Sequence, residues 1–84
     1  MTLERFEEIL RWKYDNGVKS FYGNLSGNKY HIQNPTNQRN KWTLFINDNA
    51  VKVNTNFFSI ACEIWDCEML IAVSQELKQI AASP

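Results

Sequence analysis

The sequence predicts an α+β two-layer sandwich in one compact domain, residues 1–84, ordered α-β-β-β-β-α, with a four-stranded antiparallel sheet and both helices on one face. Three observations predict it. Helical apolar spacing is confined to the two ends, apolar–polar alternation fills the middle, and turn-forming residues divide that middle into two hairpins. All ten asparagines lie between residues 16 and 56, where turns and polar strand edges want them.

The first helix starts at Thr2, a hydroxyl cap followed by Glu4 in the first turn. Leu3, Phe6, Ile9, Leu10 and Tyr14 recur at three- and four-residue spacing and make one apolar stripe. Glu7 and Arg11 fall four apart on the solvent side. Asp15-Asn16-Gly17 ends the helix, with Gly17 suited to the left-handed cap position. Trp12 lies well off the centre of the stripe, where it either packs at the edge or stays partly exposed.

With Gly27-Asn28 as a two-residue turn, Ser26 opposes Lys29, Leu25 opposes Tyr30 and Gly23 opposes Ile32, with Phe21 on the same side. Tyr22, Asn24, His31 and Gln33 then take the other side. A second turn at Asp48-Asn49 sets Ile46 against Val51 and Leu44 against Val53, with Trp42 beyond. Thr43, Phe45, Lys52 and Asn54 fall on its opposite face. A one-residue slip in either hairpin would turn the apolar set to solvent. Residues 34–40, with Pro35, form the connecting loop.

Thr55 or Asn56 caps a closing helix expected over residues 57–81. One apolar stripe is Phe57, Ile60, Ile64, Cys67 and Ile71. A second, almost opposite, is Phe58, Cys62, Trp65, Met69 and Val73. A surface helix ordinarily carries one such stripe. One side covers the sheet; the other needs the first helix or another molecule.

Composition narrows the classes. With 44% apolar residues and three tryptophans, the chain supports a core and is not of the disordered type. No apolar run reaches the roughly 18 residues of a membrane span. The acids and bases within MTLERFEEILRWK exclude a signal or transit peptide, so a cytoplasmic location is expected. Cys62 and Cys67 diverge by about 140° on a helix, so they are expected as separate thiols. One histidine and no paired cysteines exclude a zinc site, and the three glycines make no phosphate loop. Neither metal nor cofactor is expected.

Charge is zero overall but uneven. Residues 16–56 hold Lys19, Lys29, Arg39, Lys41 and Lys52 against Asp48 alone, while residues 57–84 hold Lys78 against Glu63, Asp66, Glu68 and Glu76. The middle is basic and the C-terminal helix acidic. Two binding surfaces follow. The second apolar stripe offers Phe58, Trp65 and Met69, with Glu68 as a rim charge able to pair across an interface and Trp12 beside it. The outer sheet face offers Tyr22, His31 and Phe45 with Lys29, Arg39, Lys41 and Lys52, aromatics and bases suited to single-stranded nucleic acid. His31 is the one side chain of near-neutral pKa, but no base–orienter partner is legible beside it.

The stretch Gly27-Asn28-Lys29-Tyr30-His31-Ile32-Gln33-Asn34-Pro35-Thr36 resembles the hairpin of HicA-type toxin ribonucleases in the spacing of Gly27, Pro35 and Thr36. The resemblance covers about ten residues and implies an RNA-directed role on an α-β-β-β-α scaffold. At the position of that family's catalytic histidine this chain has Lys29, and His31 follows two residues later. In outline alone, the helix–sheet–helix order is similar to that of some anti-CRISPR proteins. The leading expectation is a non-enzymatic protein-binding module, in its narrower form a phage or mobile-element inhibitor that occludes a larger host defence protein in the host cytoplasm. The alternatives are nucleic-acid binding by the sheet face and a homodimer through the second stripe.

Overall fold

The computed structural model describes residues 2–16, 20–36 and 38–82. Six elements follow in order: α1 (Leu3–Asn16), β1 (Ser20–Leu25), β2 (Asn28–Gln33), β3 (Trp42–Ile46), β4 (Asn49–Thr55) and α2 (Phe57–Ala82). The strands form one antiparallel sheet in the order β1-β2-β3-β4. Both helices cover the same face, as expected. The caps hold too: Arg5 N donates to Thr2 Oγ1 at 3.3 Å, and Ser59 N donates to Asn56 Oδ1 at 2.7 Å, each satisfying an amide that the helix leaves open. The cap at Gly17 and the inward placement of Tyr14 and Phe21 lie outside the described residues.

Both hairpins turn one residue earlier than the sequence suggests. Ser26 (φ 51°) and Gly27 (φ 81°) make the first turn, and Asn47 (φ 50°) and Asp48 (φ 68°) the second. Positive φ at both central positions matches the right-handed twist of the strands. Tertiary bonds select these residues. Asn47 Oδ1 accepts from Lys29 N at 2.9 Å, and Asn47 Nδ2 donates to Asn28 Oδ1 at 2.8 Å, so the second turn is tied to β2. In the first hairpin the pairing moves by two residues, to Leu25 opposite Asn28, Gly23 opposite Tyr30 and Phe21 opposite Ile32. A shift of two preserves every face.

In the second hairpin the expected register fails. Ile46 opposes Asn49, Phe45 opposes Ala50, Leu44 opposes Lys52 and Trp42 opposes Thr55, with irregularities between Trp42 and Leu44 and between Leu44 and Phe45. Each bulge moves the partner strand by one residue, and Asn54 takes a φ of 52°. Val51 and Val53 are therefore exposed rather than opposite Ile46 and Leu44. A bulged edge strand is also a poor template for another strand.

The core joins Tyr30, Ile32, Leu44 and Trp42 of the sheet to Ile9 of α1 and Phe57, Ile60, Ala61 and Ile64 of α2. Trp42 and Phe57 meet edge to face at 5.2 Å, a favoured aromatic geometry. Trp12 lies over Gly23, where a Cβ would overlap its ring; that glycine is what admits an indole between α1 and β1. At about 1.5 Å per residue, the 26 residues of α2 run about 39 Å, in a molecule 54 × 24 × 17 Å across. The sheet is too short to cover that length, and residues 73–79 are all exposed.

Candidate docking surface

The sheet side of α2 is spent in the core, and α1 takes part of the other side. The Phe6 ring meets Trp65 at 5.0 Å and Phe58 at 6.4 Å, both edge to face. This leaves Trp65 half-buried while Phe58 stays 62% exposed. Further along, Met69 (36%), Leu70 (72%), Val73 (46%) and Leu77 (60%) stand in solvent. Asp66, Met69, Leu70 and Val73 line a shallow hollow of about 430 Å³. Contiguous apolar exposure of this kind marks interaction surfaces.

Of the five residues expected at a partner surface, Phe58, Trp65 and Met69 lie along this flank. Trp12 does not, since it fills the space over Gly23. Glu68 does not either, and it is no rim charge. It is 6% exposed, accepting from Ser26 Oγ on Oε2 and from Tyr30 Oη on Oε1, each at 2.6 Å. Two short hydroxyl bonds compensate a carboxylate for lost water. The same contacts push the Tyr30 phenol above its usual pKa, through burial first and then the Cys67 thiol and the Glu68 carboxylate. This clasp fastens α2 to the β1–β2 turn. Beside it, Thr2, Arg5, Ser26 and Gln75 help line a cavity of about 280 Å³. Cys62 and Cys67 are half-buried free thiols.

Leu70 and Leu77 were not expected at a site. Their signal was in the sequence: Leu70, Val73, Leu77 and Ile80 are spaced three, four and three apart, a run that shares Val73 with the second stripe and carries it toward the end of the helix.

The seven residues expected at a nucleic-acid surface are scattered by the fold. Tyr22, His31 and Phe45 do share the outer sheet face, as a ladder across β1, β2 and β3. Tyr22 and His31 stack at 4.2 Å and 13°, and His31 and Phe45 at 5.5 Å and 25°. Their ring faces are turned on one another, so fewer are open to a base. Lys29 Nζ lies 5.8 Å from the Tyr22 ring centre and 3.1 Å from Asp48. Lys52 is on the helix side, its Nζ 4.0 Å from Glu63, because the bulges of β4 set it opposite Leu44. Arg39 lines a hollow with Leu10, Lys13, Asn56, Phe57 and Phe58, also on the helix side. Lys41 is exposed just before β3.

A 2.6 Å hydrogen bond links Ser20 Oγ and His31 Nε2, a pairing the sequence did not reveal. It supplies two parts of a nucleophile–base arrangement. Among the described residues no carboxylate hydrogen-bonds the other ring nitrogen, and the pair sits on an open sheet face, where no fixed donors converge on a reacting atom. Among the described residues no cluster of histidine, cysteine and carboxylates could hold a metal, and no helix is long and apolar enough to cross a membrane. No protein-family model, curated protein or solved structure matches the chain.

Proposed function

We propose that the protein is a non-enzymatic protein-binding module whose docking surface is the exposed flank of α2. The observation that carries this reading is the run of Met69, Leu70, Val73 and Leu77 in solvent on a helix that buries only the sheet side of its first half. Solvating four large apolar side chains on one face is unfavourable, and a partner that covers them gains about 25 cal/mol per Å² of apolar area removed from water. The narrower expectation, an inhibitor of a host defence protein, rests on architecture and composition, and the geometry adds no residue to it.

The nucleic-acid alternative keeps Tyr22, His31 and Phe45, but Lys52 and Arg39 stand on the other side of the sheet. Bases that neutralise phosphates must share a face with the rings that stack.

Affinity capture separates the two. The full chain should retain a protein from nuclease-treated lysate of its producing cell, and Leu70→Glu or Met69→Glu should abolish retention while Tyr22→Ala with His31→Ala leaves it intact. Nuclease-sensitive retention that depends on Tyr22 and His31 would transfer the function to the sheet face.

A further inference from the structure

We infer that the partner seated on the C-terminal half of α2 is a basic amphipathic helix. The inference rests on the docking reading above and adds the partner's shape and charge. Shape comes from spacing. Leu70, Val73 and Leu77 are exposed, and Ile80 continues the three-four-three spacing in sequence. That period makes a narrow seam, which a second helix follows and a strand does not. The hollow beside Leu70 and Val73 receives a side chain of the facing helix, as a knob enters a hole.

Charge comes from what borders the seam. At about 100° per residue, Asp66 projects within about 20° of Val73, and it lines the hollow itself. Glu76 lies about 60° from Val73 on the same wheel. Lys78 points about 140° from Val73 and about 80° from Leu70. Measured from the middle of the seam, both carboxylates lie nearer than the one cation, so its complement is a helix with lysine or arginine beside an apolar stripe.

The same charges disfavour a second copy of this chain. Parallel copies would set two Asp66 side chains facing each other in the seam. Antiparallel copies centred on the exposed stretch would bring two Glu76 side chains together across the dyad. Like charges at such positions oppose assembly.

Two synthetic helical peptides of about three heptads test this against the full chain by fluorescence anisotropy. They share a leucine seam, one flanked by lysines and the other by glutamates. The lysine peptide should bind about tenfold more tightly or better at low salt, and the gap should narrow as salt rises. Leu70→Ser with Leu77→Ser leaves charge untouched and should weaken lysine-peptide binding by about tenfold or more. Asp66→Lys with Glu76→Lys should reverse the preference. Circular dichroism should be unchanged in both variants, because all four positions are exposed.

Failure of the lysine peptide to bind, or binding untouched by the serine variant, overturns the inference. Equal binding of both peptides, abolished by the serine variant, removes the charge argument and leaves the docking reading standing. Self-association seen by light scattering and lost in the serine variant puts a second copy in the helix's place. If the serine variant alters no association of any kind, both the inference and the docking reading fall.

Discussion

The two halves of α2 are both rich in large apolar side chains, and they meet opposite fates. In the first half Ile60, Ala61 and Ile64 have no exposed surface; in the second Leu70 is 72% and Leu77 60% exposed. The difference lies beneath the helix rather than in it. Tyr30, Ile32, Leu44 and Ile9 share the core with the first half, and the clasp from Ser26 and Tyr30 to Glu68 marks where that support ends. Hydrophobicity makes burial favourable, but only opposing surface makes it happen. A helix longer than its sheet leaves its surplus in solvent.

The largest expected effect breaks the first half. Ile64→Ala should destabilise the fold by about 2–5 kcal/mol in urea unfolding, since it opens a cavity among fully buried neighbours. A cost below about 1 kcal/mol would mean that this half is not the core the contrast requires.

The boundary comes next. Glu68→Ala should cost about 1–3 kcal/mol, because it leaves the buried Tyr30 hydroxyl without its acceptor. Glu68→Leu combined with Tyr30→Phe should recover most of that loss, since donor and acceptor then leave together. A double variant as unstable as Glu68→Ala would show that the carboxylate does something besides accept these two bonds.

Periodicity made the outline legible. Helical stripes marked α1 and α2, alternation marked β1 to β3, and the caps at Thr2 and Asn56 stood where side-chain chemistry put them. What escaped was set by contacts between distant residues. Glu68 reads locally as a surface charge, and its two donors lie 42 and 38 residues away. The turn at Asn47 depends on bonds to Lys29 and Asn28. Val51 and Val53 alternate as an inward strand should, yet the bulges that turn them out carry no glycine to announce them. Of the exposed flank proposed for docking, Phe58, Trp65 and Met69 could be read from the sequence because their stripe had no use in the sheet. Trp12 misled because its receiving site, Gly23, lies eleven residues further along on another element.

A smaller effect sharpens the boundary through pH. The folded Tyr30 pKa is raised above the ordinary value of 10.0, by burial first and then by Cys67 and Glu68. Its contribution to stability is therefore complete below pH ~10 and is lost as pH rises beyond that toward the folded value. Tyr30→Phe should flatten this alkaline decline in urea midpoints. In a chain carrying Tyr14→Phe and Tyr22→Phe, the remaining phenol should ionise only well above the usual tyrosine range. Ionisation near pH 10 would mean that the clasp is open in solution.

The smallest expected effect falls on the second half. Leu70→Ser with Leu77→Ser should move the free energy of unfolding by no more than about 0.5 kcal/mol, as exposed positions do. The reason is that neither side chain changes its surroundings much on folding: both are wet in the unfolded chain and remain largely wet in the folded one. The two leucines differ chemically little from Ile60 and Ile64, so the near-silence expected here and the large loss expected at Ile64 measure what lies underneath each half. A cost above about 1 kcal/mol would mean that the overhang folds back against its own domain in solution. The flank would then be core after all, and no surface would be left for a partner to cover.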